Sequence, residues 1–171
     1  MSRPPLLLIL PFLTLLLNLF STIAETATTP GGTLFQTSGV NVALAANGAI
    51  ATASSTFSEG RPASSVINGD RKGLNWGNGG GWTDATPNEY PHWLQIDFNG
   101  IQSISEIDVF TIQDNFSNPV EPSLSLTFSQ YGITSFNVQY WDGSNWVTVT
   151  GGSVTGNNKI WRQFTFSAVT Q

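Results

Sequence analysis

The chain has 171 residues, with 6 Lys and Arg, 11 Asp and Glu, one His and no Cys. This composition excludes disulfide scaffolds, thiol nucleophiles and zinc sites that require Cys or several His ligands. The formal net charge of −5 has the wrong sign for binding a phosphate backbone, so we expect no nucleic-acid partner and disfavour docking on an anionic membrane.

Residues 1–24 have the pattern of a secretory signal peptide. Arg3 precedes an apolar stretch over residues 6–20, which is short for a membrane span, and the small residues at positions 22 and 24 suit cleavage before Glu25. An uncleaved anchor is the alternative interpretation. The pattern predicts a secreted, extracellular protein that folds without disulfides.

Residues 25–40 contain Pro and Gly and no sustained hydrophobic period, which is typical of a linker. The rest of the chain, residues 41–171, shows no internal repeat and no run of charges. Its length suits one domain. The sequence therefore predicts a signal peptide, a linker and one folded unit.

The folded unit is predicted to consist of strands joined by turns. Its strand-like segments have apolar residues on one or both faces and cover residues 93–98, 104–113, 136–140, 147–149 and 160–166. Asp142-Gly143 is a hairpin signal between the third and fourth segments. One short helical turn is expected near residues 62–66, so the fold class is all-β, arranged as a sandwich.

Several short motifs follow one another in this unit: Asn41-Val42-Ala43, Ala51-Thr52-Ala53-Ser54-Ser55, Pro62-Ala63, Ile67-Asn68-Gly69-Asp70, Trp82-Thr83-Asp84, residues 93–98, and residues 136–141 with Trp146-Val147. As an ordered set they resemble the discoidin-type domain, also called the coagulation factor five/eight C-type domain, which includes the family 32 carbohydrate-binding modules. The resemblance implies an eight-stranded jelly-roll β-sandwich, galactose-binding-like, whose loops at one end bind a ligand that is usually a sugar.

The sequence departs from this family at two points. Animal members commonly join their two ends with a disulfide, and the absence of Cys makes the chain more similar to the bacterial branch. Members also usually continue past a strand like residues 160–166 into a further strand pair, whereas this chain ends at Gln171. We therefore expect the sandwich to lack its C-terminal strand.

The glycine-rich segment 68–82 is the candidate for a metal site. The resemblance implies a calcium ion in the matching loop, where this sequence offers Asn68, Asp70 and backbone carbonyls. With so few charged ligands, calcium binding is expected to be structural and weak. The alternative is a turn that Asx hydrogen bonds hold without a metal.

A sugar site needs a flat aromatic face and a few fixed donors and acceptors. Trp76 lies among loop glycines and is the leading platform, with Arg71, Asn75, Tyr90 and His92 as polar partners. The alternative is that Trp76 packs as a lid on the end of the sandwich. The other tryptophans beside these segments, at positions 82 and 93, are assigned to the core.

The connection over residues 113–132 is longer than an ordinary hairpin loop, and long loops are often functional. It is predicted to form either a second wall of the site or an edge strand. The wall would use Asp114, Asn115, Phe116 and Tyr131, and the edge strand would use Leu124, Leu126 and Phe128.

The sequence shows no sign of an enzyme. The single imidazole has no obvious orienting carboxylate, no Gly-x-Ser-x-Gly motif occurs, and no spacing rule selects a glycosidase pair of carboxylates. The prediction is a secreted non-catalytic carbohydrate-binding module with a glycan or polysaccharide as partner. An extracellular adhesion module that binds a protein or a membrane surface is the alternative.

Overall fold

A computed structural model describes residues 39–86 and 89–170, together with the backbone of residues 5–10 and 15–18. Six strands lie in the larger part and two in the N-terminal segments. In chain order they are β1 (Pro5–Leu10), β2 (Leu15–Asn18), β3 (Ile50–Ala53), β4 (His92–Asp97), β5 (Ser103–Thr111), β6 (Phe136–Trp141), β7 (Trp146–Val154) and β8 (Trp161–Thr170). Two short 3-10 turns, Ala45–Asn47 and Ala63–Ile67, complete the described elements.

The strands form two sheets, one with the order β3-β4-β1-β6-β7 and the other with the order β2-β5-β8. Every described pairing within the sheets is antiparallel. The predicted all-β sandwich is confirmed. The strands predicted within residues 93–166 correspond to β4 through β8, and the predicted helical turn is the 3-10 turn Ala63–Ile67.

The core lies between the two sheets. Leu94 and Ile96 of β4 belong to this core from one sheet. Ile107 of β5 and Phe164 of β8 belong to it from the other sheet, and all four side chains are at most 4% exposed. Burying one such side chain contributes about 1.5–3 kcal/mol. The alternation that predicted β4 therefore reflects this packing directly.

The two tryptophans assigned to the core differ. Trp82 is 1% exposed, and its indole N–H donates to the Ser55 carbonyl at 2.9 Å, so its assignment is confirmed. Trp93 is half-buried, because it alternates with Leu94 and points away from the core. The assignment of Trp93 to the core is therefore wrong.

Antiparallel pairing brings the candidate loops to one end of the sandwich. Ala53 pairs with Leu94, so the end of β3 and the start of β4 are adjacent. Phe110 pairs with Trp161, so the end of β5 and the start of β8 are also adjacent. The short connection between β4 and β5 places both pairs at the same end, which we call the loop end. Its described segments are residues 54–62, 68–86, 89–92, 112–135 and 155–160.

The segment predicted as a signal peptide contains β1 and β2. Leu8 of β1 lies opposite Leu94 of β4 on one side and Val138 of β6 on the other. The signal peptide stays a prediction, and most of the predicted linker, residues 25–38, lies outside the described residues. No helix in the described part of the chain has the length and apolar character needed to span a bilayer.

Candidate ligand-binding site

A cavity of about 320 Å³ opens at the loop end, where β3 ends and β4 begins. Most of its lining side chains are polar: Ser54, Ser55, Thr86, Glu89, Tyr90, Pro91 and His92. Ligand pockets generally measure about 300–1,000 Å³. The cavity therefore suits a small polar ligand or one unit of a larger one.

Hydrogen bonds fix the wall formed by the two serines. The Ser54 hydroxyl accepts from the Trp93 amide at 3.2 Å, and the Ser55 hydroxyl accepts from the Ala85 amide at 3.0 Å. The carbonyl of Ser55 also holds the indole of Trp82. These contacts tie the wall to β4 and to the core, so its polar atoms have fixed positions.

Tyr90 supplies an aromatic surface beside the cavity. Its side chain is 44% exposed, and its ring meets the ring of His92 edge-on, with centroids 5.3 Å apart and an interplanar angle of 72°. Desolvation and the negative charge of Asp84 raise the pKa of the Tyr90 hydroxyl. The hydroxyl therefore keeps its proton at neutral pH and remains a hydrogen-bond donor.

His92 and Asp84 form a buried pair behind the cavity. Their side chains are 4% and 1% exposed, and Nε2 of His92 lies 3.4 Å from Oδ1 of Asp84. This nitrogen makes no hydrogen bond to the described residues. The Thr86 amide donates to the same Asp84 oxygen at 3.1 Å and orients the carboxylate. The structure thus places Asp84 beside the single imidazole, for which the sequence offered no obvious orienting carboxylate.

Trp76 packs in a separate cluster, the Arg61 stack, formed by Phe57, Arg61 and Trp76. The guanidinium carbon of Arg61 lies 5.1 Å from the ring centroid of both aromatic side chains. A Cβ on Gly60 would lie 2.1 Å from the carbonyl oxygen of Gly77, so glycine is needed where the two loops meet. Cation–π contact therefore occupies part of the Trp76 ring surface that was predicted to bind a sugar.

Arg71 lies over the small sheet. It forms an ion pair with Glu121, and its guanidinium carbon lies 5.8 Å and 5.9 Å from the ring centroids of Phe110 and Trp161. These two rings stack on each other with centroids 5.4 Å apart. Arg71 thus connects the glycine-rich segment to the long loop over residues 113–132.

A buried carboxylate lies near this arginine. Asp108 is 2% exposed, and its Oδ1 accepts from the indole N–H of Trp161 at 2.8 Å. Burial raises the pKa of Asp108 to about 6, although the Trp161 hydrogen bond and the positive charge of Arg71 act in the opposite direction. Its charge therefore changes in a mildly acidic range, close to the loop end.

The two predicted calcium ligands build a turn. The Asn68 side chain accepts from the Asp70 amide at 2.7 Å and donates to the Gly79 carbonyl at 3.1 Å. The carboxylate of Asp70 accepts from the amides of Lys72 at 2.9 Å and Leu74 at 2.5 Å. The described residues contain no group of three or more acidic or His side chains suited to a metal. These residues fit an Asx-stabilised turn better than a calcium ion.

Two side-chain clamps hold the long loop over residues 113–132. Gln113 exchanges hydrogen bonds with the backbone of Val120 at 2.7 and 3.1 Å. Asp114 accepts from the amides of residues 129–131 and from the Ser129 hydroxyl. Although desolvation acts to raise it, the pKa of Asp114 is lowered by these hydrogen bonds.

Neither predicted alternative for this loop, a second wall of the site or an edge strand, is fully formed in the structure. Phe116 and Tyr131 pack edge-on with centroids 5.6 Å apart, but neither lines the cavity. The edge-strand alternative reduces to one bridge between Thr127 and Lys159, flanked by backbone hydrogen bonds. Leu124 is 52% exposed, so this part of the loop is not a regular strand that buries every second residue.

Of the predicted sugar contacts, Tyr90 and His92 meet at the cavity. Arg71, Asn75 and Trp76 are not among its lining residues and lie in the adjacent glycine-rich segment. Sequence reasoning missed the lining contributions of Ser54, Ser55, Thr86 and Glu89, as well as the Arg61 stack. The signal available was the pair of serines directly after a short strand, since side chains there reach the end of a sheet.

The comparisons with known proteins agree with this architecture. The chain matches the F5/8 type C domain over residues 50–171. The comparison with curated proteins gives no match, and the comparison with solved structures gives none either. The family match covers more than half of the chain and contains β3 through β8. The chain therefore belongs to the F5/8 type C, or discoidin, domain family.

Proposed function

We propose that this protein is a secreted, non-catalytic module that binds a neutral glycan in the cavity beside Tyr90. F5/8 type C domains are in general non-catalytic modules that bind carbohydrates or lipids, and they typically occur in extracellular or membrane-surface proteins. The observation that carries the proposal is the cavity itself, where hydroxyls, a carboxylate and a half-exposed aromatic ring surround one space of about 320 Å³.

The chemistry of the lining favours a sugar. The ring of Tyr90 offers an apolar surface for one face of a pyranose, and the hydroxyls of Ser54 and Thr86 offer polar contacts around it. The carboxylate of Glu89 accepts hydrogen bonds from sugar hydroxyls more strongly than a neutral group would. Since Glu89 and the buried Asp84 are both acidic, a neutral sugar fits better than an anionic one.

The other predicted contacts would serve a longer glycan. Phe57 of the Arg61 stack follows Ser55 of the cavity wall by two residues, so the two features are adjacent along the chain. Asn75 is exposed beside the stack and has a positive φ of 58°. We assign Trp76, Asn75 and Arg71 to the binding of further sugar units, outside the cavity.

A calorimetric titration of the protein with neutral monosaccharides and oligosaccharides tests the proposal. We expect saturable binding, and we expect Tyr90→Ala to weaken it about tenfold, the effect of about 1.4 kcal/mol from a lost ring contact. Trp76→Ala should weaken oligosaccharide binding and leave monosaccharide binding unchanged.

The chain offers a matched control in Tyr131→Ala. Tyr131 is 47% exposed and packs edge-on against another ring at the same end, but it does not line the cavity. Its removal should leave sugar affinity unchanged. Equal losses from both tyrosine variants, or no binding to any sugar by well-folded protein, would contradict the proposed site.

A specific observation also favours the second candidate function, adhesion to a membrane or a protein. Large apolar side chains are exposed in the loop-end segments: Phe57, Leu74, Tyr90, Phe116, Val120, Leu124 and Tyr131. Exposed apolar side chains of this kind can bury in a lipid interface or a protein partner. Co-sedimentation with phosphatidylcholine vesicles, reduced in a Phe116→Ser variant that still binds sugar, would support this function.

A further inference from the structure

The five-stranded sheet contains a strand from outside the family match. β1 covers residues 5–10, whereas the match begins at residue 50. β1 nevertheless lies between β4 and β6, in the middle of the sheet order. The matched region on its own would therefore hold two separate ribbons, β3-β4 and β6-β7, on this side of the sandwich.

The pairing of β1 is extensive on both sides. Its register with β4 runs over six residues, from Pro5 opposite Asp97 to Leu10 opposite His92. Its register with β6 runs over four residues, residues 6–9 opposite 137–140. An interior strand satisfies the backbone donors and acceptors of both neighbours, so its removal would leave two facing edges unpaired.

The space between β4 and β6 that β1 fills, which we call the slot, borders the core. Leu94, Ile96 and Val138 are each at most 1% exposed, and they lie opposite residues of β1 in the register. The sequence of β1 suits an interior position, since residues 6–10 are all apolar. Pro5 is the first residue of the strand, a position that tolerates proline, and Pro11 follows the last.

We infer that residues 5–10 are a structural part of the folded domain and occupy an acceptor slot between β4 and β6. The segment that resembles a secretory leader thus has a second role as the strand that joins the two ribbons. Cleavage before Glu25 would remove this strand and leave the slot open. The folded domain therefore requires residues 5–10, and the proposed extracellular module would keep this segment uncleaved.

Disulfide trapping in the full chain tests this inference, because the native sequence has no Cys. Leu7 lies opposite Gln95 of β4 and opposite Gln139 of β6. Paired residues in antiparallel strands have Cα atoms about 4.5–5.5 Å apart, within the range of a disulfide. We expect Leu7→Cys with Gln95→Cys, or Leu7→Cys with Gln139→Cys, to cross-link on mild oxidation and to raise the melting temperature.

The matched control is Leu7→Cys with Thr148→Cys. Thr148 pairs with Gln139 on the next strand, so it lies two strand spacings from Leu7, about 10 Å, and is too far to bridge. Cross-linking in at least one test pair but not in the control supports the slot. Failure of both test pairs in protein that keeps a cooperative melting transition overturns it.

Hydrogen exchange on the unmodified chain gives a second readout that does not depend on the cysteine variants. Amides of β4 and β6 should be protected in the full chain and should lose protection in a truncated form that begins at Glu25, whether that form is partly or wholly unfolded. A truncated form beginning at Glu25 with the same protection in β4 and β6 as the full chain would overturn the inference. Both readouts are independent of sugar binding.

Discussion

Asp108 is the residue at which proton binding and stability are most clearly coupled. Its pKa in the folded protein is raised from 3.8 to about 6 by burial, so the folded state binds the proton more tightly than the unfolded state. Asp108 therefore makes its full contribution to the free energy of unfolding below about pH 4, and this contribution decreases as the pH rises to about 6.

We expect Asp108→Asn to remove this penalty. The variant can still accept the Trp161 hydrogen bond, and it should gain about 2–3 kcal/mol relative to the wild type as the pH rises from 4 to 7. Urea unfolding of both proteins across this range measures the difference. A difference that stays constant with pH would contradict the raised pKa.

A variant of Asp70 distinguishes an Asx-stabilised turn from a calcium site. Because its carboxylate accepts the amides of Lys72 and Leu74, we expect Asp70→Ala to cost about 1–3 kcal/mol in the presence of EDTA. Chemical denaturation with and without millimolar calcium is the measurement. A loss that appears only when calcium is present would instead favour the weak structural ion that the family resemblance implies.

At the scale of the structural element, the conformation of the long loop over residues 113–132 depends on the carboxylate of Asp114. Asp114→Asn weakens the four hydrogen bonds to residues 129–131, so we expect faster hydrogen exchange of these amides. The lowered pKa of Asp114 implies the same loosening when the pH falls through that pKa, because the protonated group accepts these bonds less well.

Asp142 provides the matched control for this loop. It accepts from the amides of Ser144 and Asn145 at 2.8 and 2.7 Å in the hairpin between β6 and β7, outside the loop end. Asp142→Asn should speed exchange in that hairpin and leave residues 129–131 unaffected. Faster exchange at both sites in either variant would indicate global destabilisation rather than a local clamp.

The elements that could be predicted from the sequence are those with a local signal. β4 alternates cleanly, and the Asp142-Gly143 turn marks the hairpin between β6 and β7. β3, Ile50–Ala53, was not predicted as a strand, because its short, small side chains give a weak pattern. β1 was not predicted, because an apolar run has the same composition in a leader and in an interior strand.

The site was less predictable than the fold. Tyr90 and His92 were proposed as ligand contacts, but the serines that face them come from a strand end almost 40 residues earlier. Only the β3-β4 register brings these segments together. In the same way, the contact of Arg61 with Trp76 depends on the close approach of Gly60 to Gly77, which no local pattern encodes.

At the scale of the whole molecule, the acidic composition sets how the protein meets a charged surface. With a net charge of −5, it should bind vesicles containing phosphatidylserine more weakly than pure phosphatidylcholine vesicles at low salt. The difference should shrink near 0.5 M salt, because screening shortens the range of repulsion to a few ångströms. Stronger binding to the anionic vesicles would show that the local cations Arg61, Arg71 and Lys72 dominate.

Ser55 links the cavity to the centre of the molecule. Its carbonyl oxygen accepts from the indole N–H of the fully buried Trp82, and its hydroxyl accepts from the backbone amide of Ala85, which precedes Thr86. These two hydrogen bonds couple the cavity wall to the core, so we expect both to unfold in one transition. We expect the capacity to bind ligand to persist almost to the midpoint of thermal unfolding and then to disappear with it.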